Sequence, residues 1–336
     1  MPASGGGIAW HRSGCRFRPP NEQVADGRCV ADRRSVQELW SPAVIESVRG
    51  TGCIFGEAPV WDAAAKQLYW IDCLAPALFR HEPASGRTER LRVKVPKPVT
   101  GLVRAADGGL LVISPQGLLM VDPAEHSASP MALRSDVSLV GANDGKCDRQ
   151  GRLWIGTGDG GGQRLPGRLL CIDSDLRVSV MDTGFAIPNG PAFSVDGRLM
   201  YLADSAAGQI YRYHLDCATG VLGPRETFAS IPCTVGAPDG MTVDRDEHLW
   251  VAIYAGSAVF RYSPEGALVE RLSFPLTRMT SCTFGRGDLA GLFVTSAVRD
   301  WDAACESPKE GEFPDTLFRV IGPARGVPEQ AFAKRG

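Results

Sequence analysis

The feature that most constrains this chain is a unit of about 45 residues that occurs six times. Each copy contains an apolar residue, a charged or glycine-containing turn, a short apolar strand, a turn of small residues and a second strand. Equivalent large apolar residues are separated by 42, 43, 46, 50 and 43 positions: Tyr69, Leu111, Trp154, Met200, Trp250 and Phe293. Such a period, built from short strands, is typical of β-propellers. The sequence therefore predicts an all-β fold, a six-bladed β-propeller with four-stranded antiparallel blades around a central channel.

A ring of blades needs its two ends tied together, and this requirement predicts the domain limits. Residues 44–48 are expected to pair with residues 316–321 and complete the last blade. The propeller then spans residues 43–325, with a disordered N-terminal extension over residues 1–42 and a C-terminal tail over residues 326–336. The polar stretch 299–315 is expected to be a long loop in the last blade. No window has a sustained helical period, which argues against an α/β fold.

Composition narrows the choice of partners. The formal net charge is −2, so the chain offers no basic field for nucleic acid. It has no apolar run of the roughly 18 residues that a membrane helix needs, and its first 40 residues lack the apolar core of a secretory signal. The ten cysteines include no Cys-x-x-Cys pair, which favours buried thiols in a reducing compartment. We expect a cytoplasmic monomer or weak homo-oligomer that acts on a small molecule.

Four polar residues occupy the same position relative to the repeat, in blades one, three, four and five. They are Glu57, Asn143 (followed by Asp144), Asn189 and Asp239, each within two positions of a glycine or proline. Taken singly, an Asn-Gly or Asp-Gly pair is typical of an ordinary turn, and we expect these residues in turns that precede the strands. Jointly, two carboxylates and an amide oxygen form a hard ligand set that suits calcium, magnesium or manganese, with iron or zinc also possible.

Other catalytic signatures are missing from the sequence. It contains no Gly-x-Ser-x-Gly elbow, no P-loop, no His-Glu-x-x-His and no EF-hand pattern. The residues therefore favour metal-dependent chemistry at the repeated loop over a serine hydrolase, a nucleotide enzyme or a zincin.

The segments that carry these residues resemble a known family. Residues 56–61, 143–146, 188–190 and 238–241 are similar to the four signature segments of the regucalcin and gluconolactonase family, and residues 280–285 resemble its late Thr-Ser-x-x-Phe-Gly segment. The matching segments come in the family's order, and the resemblance spans residues 45–322.

The resemblance implies a function and a division of roles. It implies one divalent metal (calcium, zinc, manganese, magnesium or iron(II)) held by Glu57, Asn189 and Asp239. Asn143, with Asp144 beside it, would contact the substrate or a metal-bound water. Asp239 would also serve as general base when a sugar lactone is opened to an aldonic acid.

Two departures from the family pattern leave the substrate open. Gly141 stands where several animal members carry an arginine that contacts the substrate. The acidic residue that some members place in the next loop is missing from residues 157–164, where Asp159 and Arg164 are the candidates to replace it. Two alternatives remain at this point: hydrolysis of organophosphates or other esters at the same metal site, and a non-catalytic calcium-binding propeller.

Overall fold

A computed structural model describes residues 43–158, 166–301, 314–322 and 324–335. Within these ranges the chain forms 24 β-strands and no helix. In chain order the strands are β1 (Val44–Ser47), β2 (Gly56–Asp62), β3 (Gln67–Asp72), β4 (Ala77–Glu82), β5 (Arg87–Arg90), β6 (Gly101–Arg104), β7 (Leu110–Ser114), β8 (Gly117–Asp122), β9 (Ser127–Met131), β10 (Ala142–Cys147), β11 (Leu153–Thr157), β12 (Gly167–Ile172), β13 (Val178–Phe185), β14 (Pro188–Phe193), β15 (Leu199–Asp204), β16 (Gln209–His214), β17 (Glu226–Ser230), β18 (Ala237–Val243), β19 (Leu249–Tyr254), β20 (Ala258–Tyr262), β21 (Leu268–Ser273), β22 (Arg278–Gly285), β23 (Gly291–Ala297) and β24 (Leu317–Ile321).

The strands form six four-stranded antiparallel sheets, so the predicted six-bladed propeller is confirmed. Five sheets are consecutive meanders, from β2–β5 to β18–β21. The sixth combines β22, β23 and β24 with β1, and Val44 lies opposite Ile321 in that pairing. The predicted closure of the ring is therefore confirmed. The predicted extension over residues 1–42, and residues 302–313 of the predicted long loop, lie outside the described residues.

The first strand of each sheet lies nearest the channel. These inner strands are β2, β6, β10, β14, β18 and β22, and each contacts the next around a closed ring. We call the end where the inner strands begin the upper face and the end where they finish the lower face. Because each sheet is an antiparallel meander, the connections between blades lie on the upper face.

A repeated Asp and Trp pair explains part of the sequence period. In the lower turn of blade three, Asp148 accepts hydrogen bonds from the backbone N–H of Arg152 at 3.0 Å and from Nε1 of Trp154 at 2.9 Å. Asp244 accepts from Trp250 Nε1 at the same distance, 2.9 Å, in blade five. The aspartate therefore closes the turn and fixes a buried tryptophan.

The core lies between neighbouring sheets. Large side chains of the second strands, such as Trp70, Trp154, Tyr201 and Phe293, are fully buried there. Five of the seven described cysteines are also buried (Cys53, Cys73, Cys147, Cys171 and Cys282), whereas Cys217 is half-buried and Cys233 is exposed. Across the described ranges, no helix long and apolar enough to cross a membrane is found.

Candidate metal centre

The inner strands are irregular where the predicted site residues lie. In five of the six blades, two inner-strand residues face one residue of the neighbouring strand, which is a β-bulge. The register breaks occur between Glu57 and Val60, Ala142 and Gly145, Asn189 and Ala192, Pro238 and Met241, and Met279 and Ser281. The inner strand of blade two pairs without a shift and carries no predicted site residue. A bulge turns a side chain out of the alternating pattern, and here it marks the blades with polar residues at the channel.

The prediction that the site residues lie in turns is wrong. Glu57 lies in β2, Asn143 and Asp144 in β10, Asn189 in β14 and Asp239 in β18. Local propensity of Asn-Gly and Asp-Gly pairs favours tight turns, but the packing of inner strands around the axis overrides it.

The glycines beside these residues allow neighbouring inner strands to approach closely. A Cβ atom on Gly240 would lie 2.1 Å from Oγ of Ser281, and one on Gly190 would lie 2.7 Å from the Cα of Gly240. Gly190 also has a positive φ of 38°. These positions therefore require glycine for contact between blades four, five and six.

Asn189 and Asp239 meet across the gap between blades four and five. The Asn189 side-chain amide donates a hydrogen bond to the Asp239 carboxylate, and both residues are buried. Ser205 supports the pair, because its hydroxyl donates to the carbonyl of Pro238 at 2.6 Å and accepts from Asn189 Nδ2 at 3.3 Å. The structure thus brings together two of the three predicted metal ligands.

Glu57, Asn143 and Asp144 extend the same polar group around the ring. Asn143 donates from Nδ2 to the carbonyl of Pro188 at 3.1 Å, which links blade three to the strand that carries Asn189. Glu57 is buried, and its Oε2 accepts from the N–H of Ala58 at 3.0 Å. Asp144 is also buried and accepts from the N–H of Gly145 at 2.7 Å.

Two aspartates that the sequence analysis did not select position the ligand strands. Asp72 accepts from the backbone N–H groups of Ile54 at 2.7 Å and Phe55 at 3.3 Å, just before Glu57. Asp204 accepts in the same way from the backbone N–H groups of Ala186 and Ile187, shortly before Asn189. Both aspartates are the last residue of the second strand of their blade. This shared position in the repeat is the sequence signal that could have identified them.

Burial, and after it charge repulsion, sets the electrostatics of the site. Burial, followed by the charges of Asp239 and Asp144, raises the pKa of Glu57 well above its usual range. Burial, followed by the charge of Asp144, raises the pKa of Asp239 in the same way. Burial also raises the pKa of Asp144 to about 6. The charge of Asp144 disfavours ionisation of both Glu57 and Asp239, and no positive charge offsets it at these two carboxylates.

The donor set fits a hard divalent cation. A cation between Glu57 and Asp239 would offset the burial and the repulsion that raise their pKa values. Carboxylate and amide oxygens are also the ligands that such ions prefer. Among the described residues, no three His, Cys, Asp or Glu side chains form a ligand cluster. The predicted set is of a different kind, because its third member, Asn189, supplies an amide.

A polar and aromatic wall stands on the upper face beside Asp239. Tyr254 donates to Asp300 at 3.0 Å, and Arg278 contacts both oxygens of that carboxylate at 2.6 and 2.8 Å. The ring of Phe55 stacks on Tyr254 with a centroid distance of 6.0 Å. Burial and then the charge of Asp300 raise the pKa of Tyr254, and Asp239 also contributes, which places this hydroxyl near the site. No motif in the sequence predicted this wall.

The two departures from the family pattern have different outcomes in the structure. Gly141 has a positive φ of 79°, so an arginine there would be strained. Asp159 and Arg164, the candidates to replace the acidic residue, lie outside the described residues.

Comparison with known proteins agrees with this architecture. Residues 55–298 match the family model described as the SMP-30/gluconolactonase/LRE-like region. The chain is 35% identical over 291 residues to the pentonolactonase XacC of Haloferax volcanii, a match that covers 85% of this chain and 97% of that protein.

Two solved structures show the same fold. A luciferin-regenerating enzyme superposes with a TM-score of 0.75 and 26% identity, over 87% of this chain and 100% of that one. The calcium-binding protein regucalcin of Agrobacterium tumefaciens gives a TM-score of 0.73 and 27% identity, over 85% of this chain and 96% of that one. The family match covers most of the chain and includes every predicted site residue. The protein therefore belongs to the SMP-30/gluconolactonase/LRE-like family.

Proposed function

We propose that this protein is a metal-dependent hydrolase that opens a sugar lactone to the corresponding aldonic acid. The observation that carries the proposal is the group of buried carboxylates at the upper end of the channel, because a bound cation would offset both the burial of their charges and the repulsion between them. The similarity to a pentonolactonase supports a lactone substrate, and the similarity to a calcium-binding protein supports a divalent metal.

The metal would be held by Glu57, Asn189 and Asp239. Asn189 directs its Nδ2 at Asp239, and turning the amide over exchanges Nδ2 for Oδ1, which supplies the third oxygen. A divalent cation bound by these residues would act as a Lewis acid that polarises the lactone carbonyl and stabilises the charge that develops on its oxygen. Five divalent ions suit this ligand set: calcium, manganese, magnesium, zinc and iron(II).

The remaining roles fall to side chains of the same channel end. Asp239 takes a proton from the attacking water, a step that contributes roughly 100- to 10,000-fold to the rate of such reactions. Asn143, half-buried in the adjoining strand, would contact the hydroxyl groups of the substrate, together with Asp144, which follows it in that strand. Tyr254 and Arg278, which both bind Asp300, would line the approach.

The decisive experiment follows acid release from five- and six-membered sugar lactones with a pH indicator. Metal-stripped protein is assayed alone and after addition of calcium, manganese, zinc or iron(II). The variants Glu57→Gln and Asp239→Asn remove one carboxylate charge each without changing the size of the side chain. Glu265→Gln, which removes the same charge at an exposed turn, is the matched control.

The expected result is metal-dependent turnover that both site variants abolish and the control retains. If folded, metal-loaded protein opens none of the lactones above the spontaneous rate, the proposal is wrong. Phosphotriesters and other esters would then be assayed with the same variants. Metal binding without any hydrolysis would indicate a binding protein.

A further inference from the structure

The last described residues of the chain close the lower face of the propeller. Phe332 forms a parallel bridge with Ala105 of blade two and is 1% exposed. Ala333 donates its N–H to Gly151 of blade three at 3.0 Å, and Gly326 bridges to Asp244 of blade five. Residues 324–335, which we call the C-terminal segment, therefore cross the end of the channel opposite the candidate metal centre.

One side chain of this segment points into the channel. Glu329 Oε1 accepts a hydrogen bond from Nζ of Lys146 at 2.7 Å, and their side chains are only 11% and 16% exposed. The same Nζ donates to the carbonyl of Met241 at 2.8 Å. The ammonium group of Lys146 is thus fixed by two partners from distant parts of the chain.

Lys146 lies below one carboxylate of the candidate centre, that of Asp144. It follows Asp144 by two positions in β10, and both residues line one small cavity together with Glu329 and Pro59. The two charges interact, because Lys146 lowers the pKa of Asp144 while Glu329 raises it. A lysine side chain is long and flexible, so this ammonium group, once freed from its partners, would compete with a cation for the neighbouring carboxylates.

We propose that Glu329 is a positioning residue that holds the Lys146 ammonium group away from Asp144 and Asp239 and so keeps the centre open to a divalent cation. This inference rests on the proposed metal-dependent function. It gives the C-terminal segment a part in the site, although the segment lies at the opposite end of the channel.

A purely structural pair makes a different prediction. Removing one partner of a buried ion pair leaves an uncompensated charge and destabilises the fold, whichever partner is removed. Metal affinity would then stay constant or fall for both single variants. If Glu329 restrains Lys146, the two single variants change metal affinity in opposite directions, because one frees a positive charge and the other removes it.

The test is a calorimetric titration of metal-stripped protein with Ca²⁺, repeated with Mn²⁺. Glu329→Gln is expected to weaken binding about tenfold, the effect of one unpaired charge at this range. Lys146→Met is expected to tighten it, and the double variant Lys146→Met/Glu329→Gln is expected to bind at least as tightly as wild type. Glu329→Asp, which keeps the charge on a shorter stem, should fall between wild type and Glu329→Gln. Glu265→Gln is the control for a change in net charge and should bind like wild type.

The outcomes separate the inference from the function on which it rests. If wild type shows no saturable binding, or Glu57→Gln binds equally well, both are wrong. If wild type binds, Glu57→Gln does not, and Glu329→Gln matches wild type, only the inference is wrong. A double variant that binds as weakly as Glu329→Gln also contradicts it, because the ammonium group would then not be the competitor. Thermal unfolding of each variant identifies any that do not fold, and Glu329→Asp then carries the comparison.

Discussion

The Asn189 amide donates to the Asp239 carboxylate although the two residues are 50 positions apart in the chain. Each lies at a β-bulge of its inner strand, in adjacent blades. In this contact the neutral amide of Asn189 donates to a buried carboxylate. The hydrogen bond stabilises the Asp239 charge in part, as a bound cation would do more fully. Metal binding therefore requires the charges of Glu57 and Asp239, whereas the metal-free fold is more stable without them.

The first prediction concerns that opposition. Glu57→Gln and Asp239→Asn should each lower lactone hydrolysis by roughly 100-fold or more. Each should also raise the thermal midpoint of the metal-free protein by a few degrees, because it removes a buried charge that its neighbours repel. Calcium should raise the midpoint of wild type and leave both variants unchanged, since only wild type binds it. Differential scanning fluorimetry with and without calcium measures both effects. A lower midpoint for both metal-free variants would contradict the prediction.

The second prediction concerns how the same carboxylates make the stability of the metal-free protein depend on pH. The raised pKa values of Glu57 and Asp239 mean that the folded protein retains protons that the unfolded chain releases near pH 4. Their contribution to stability is therefore full below that pH and is lost as the pH rises. The free energy of unfolding of metal-free Asp239→Asn, relative to wild type, should increase from about pH 4 to pH 7. Urea unfolding at several pH values measures it, and a difference that is independent of pH would contradict it.

The third prediction concerns the glycine beside Asp239. Gly240→Ala should destabilise the protein by about 2–3 kcal/mol, because the new methyl group would meet Oγ of Ser281 at 2.1 Å. Gly287→Ala is the matched control, since a Cβ there has no heavy atom within 4 Å. Urea unfolding compares the two, and equal stabilities would show that the inner strands can separate without loss.

The fold was predictable from the sequence because the residues that determine each blade recur along the chain. The Asp and Trp pairs of blades three and five recur at one spacing, and each closes a turn and fills a gap between sheets. The closing strand was also predictable, because a propeller without it leaves an open sheet edge. Both inferences depend on physical requirements that every blade shares.

The site was predictable only in part. Its residues share a place in the repeat, which indicated that they would meet at one end of the channel. Their position in bulged strands was not predictable, because the packing of Gly190 against Gly240 is a contact between blades. Glu329 lies 183 positions from Lys146 in a segment without a motif, so no local pattern could have linked them.

The last prediction tests how the ligand strand is held. Asp204 accepts from the backbone N–H groups of Ala186 at 2.8 Å and Ile187 at 3.0 Å, directly before Asn189. Asp204→Ala leaves these donors unpaired, which costs about 2–3 kcal/mol of stability, and it frees the start of the strand that carries a metal ligand.

We therefore expect Asp204→Ala to weaken calcium binding several-fold as well as to unfold at lower urea concentration. The matched control is Asp122→Ala, because Asp122 also accepts from two backbone N–H groups, at an exposed turn of blade two, which supplies no ligand. It should lose some stability and bind calcium like wild type. If both variants bind calcium equally well, the ligand strand is held by its blade alone and the carboxylate of Asp204 serves only folding. If binding falls only in Asp204→Ala, the upper connection of blade four is part of the metal centre.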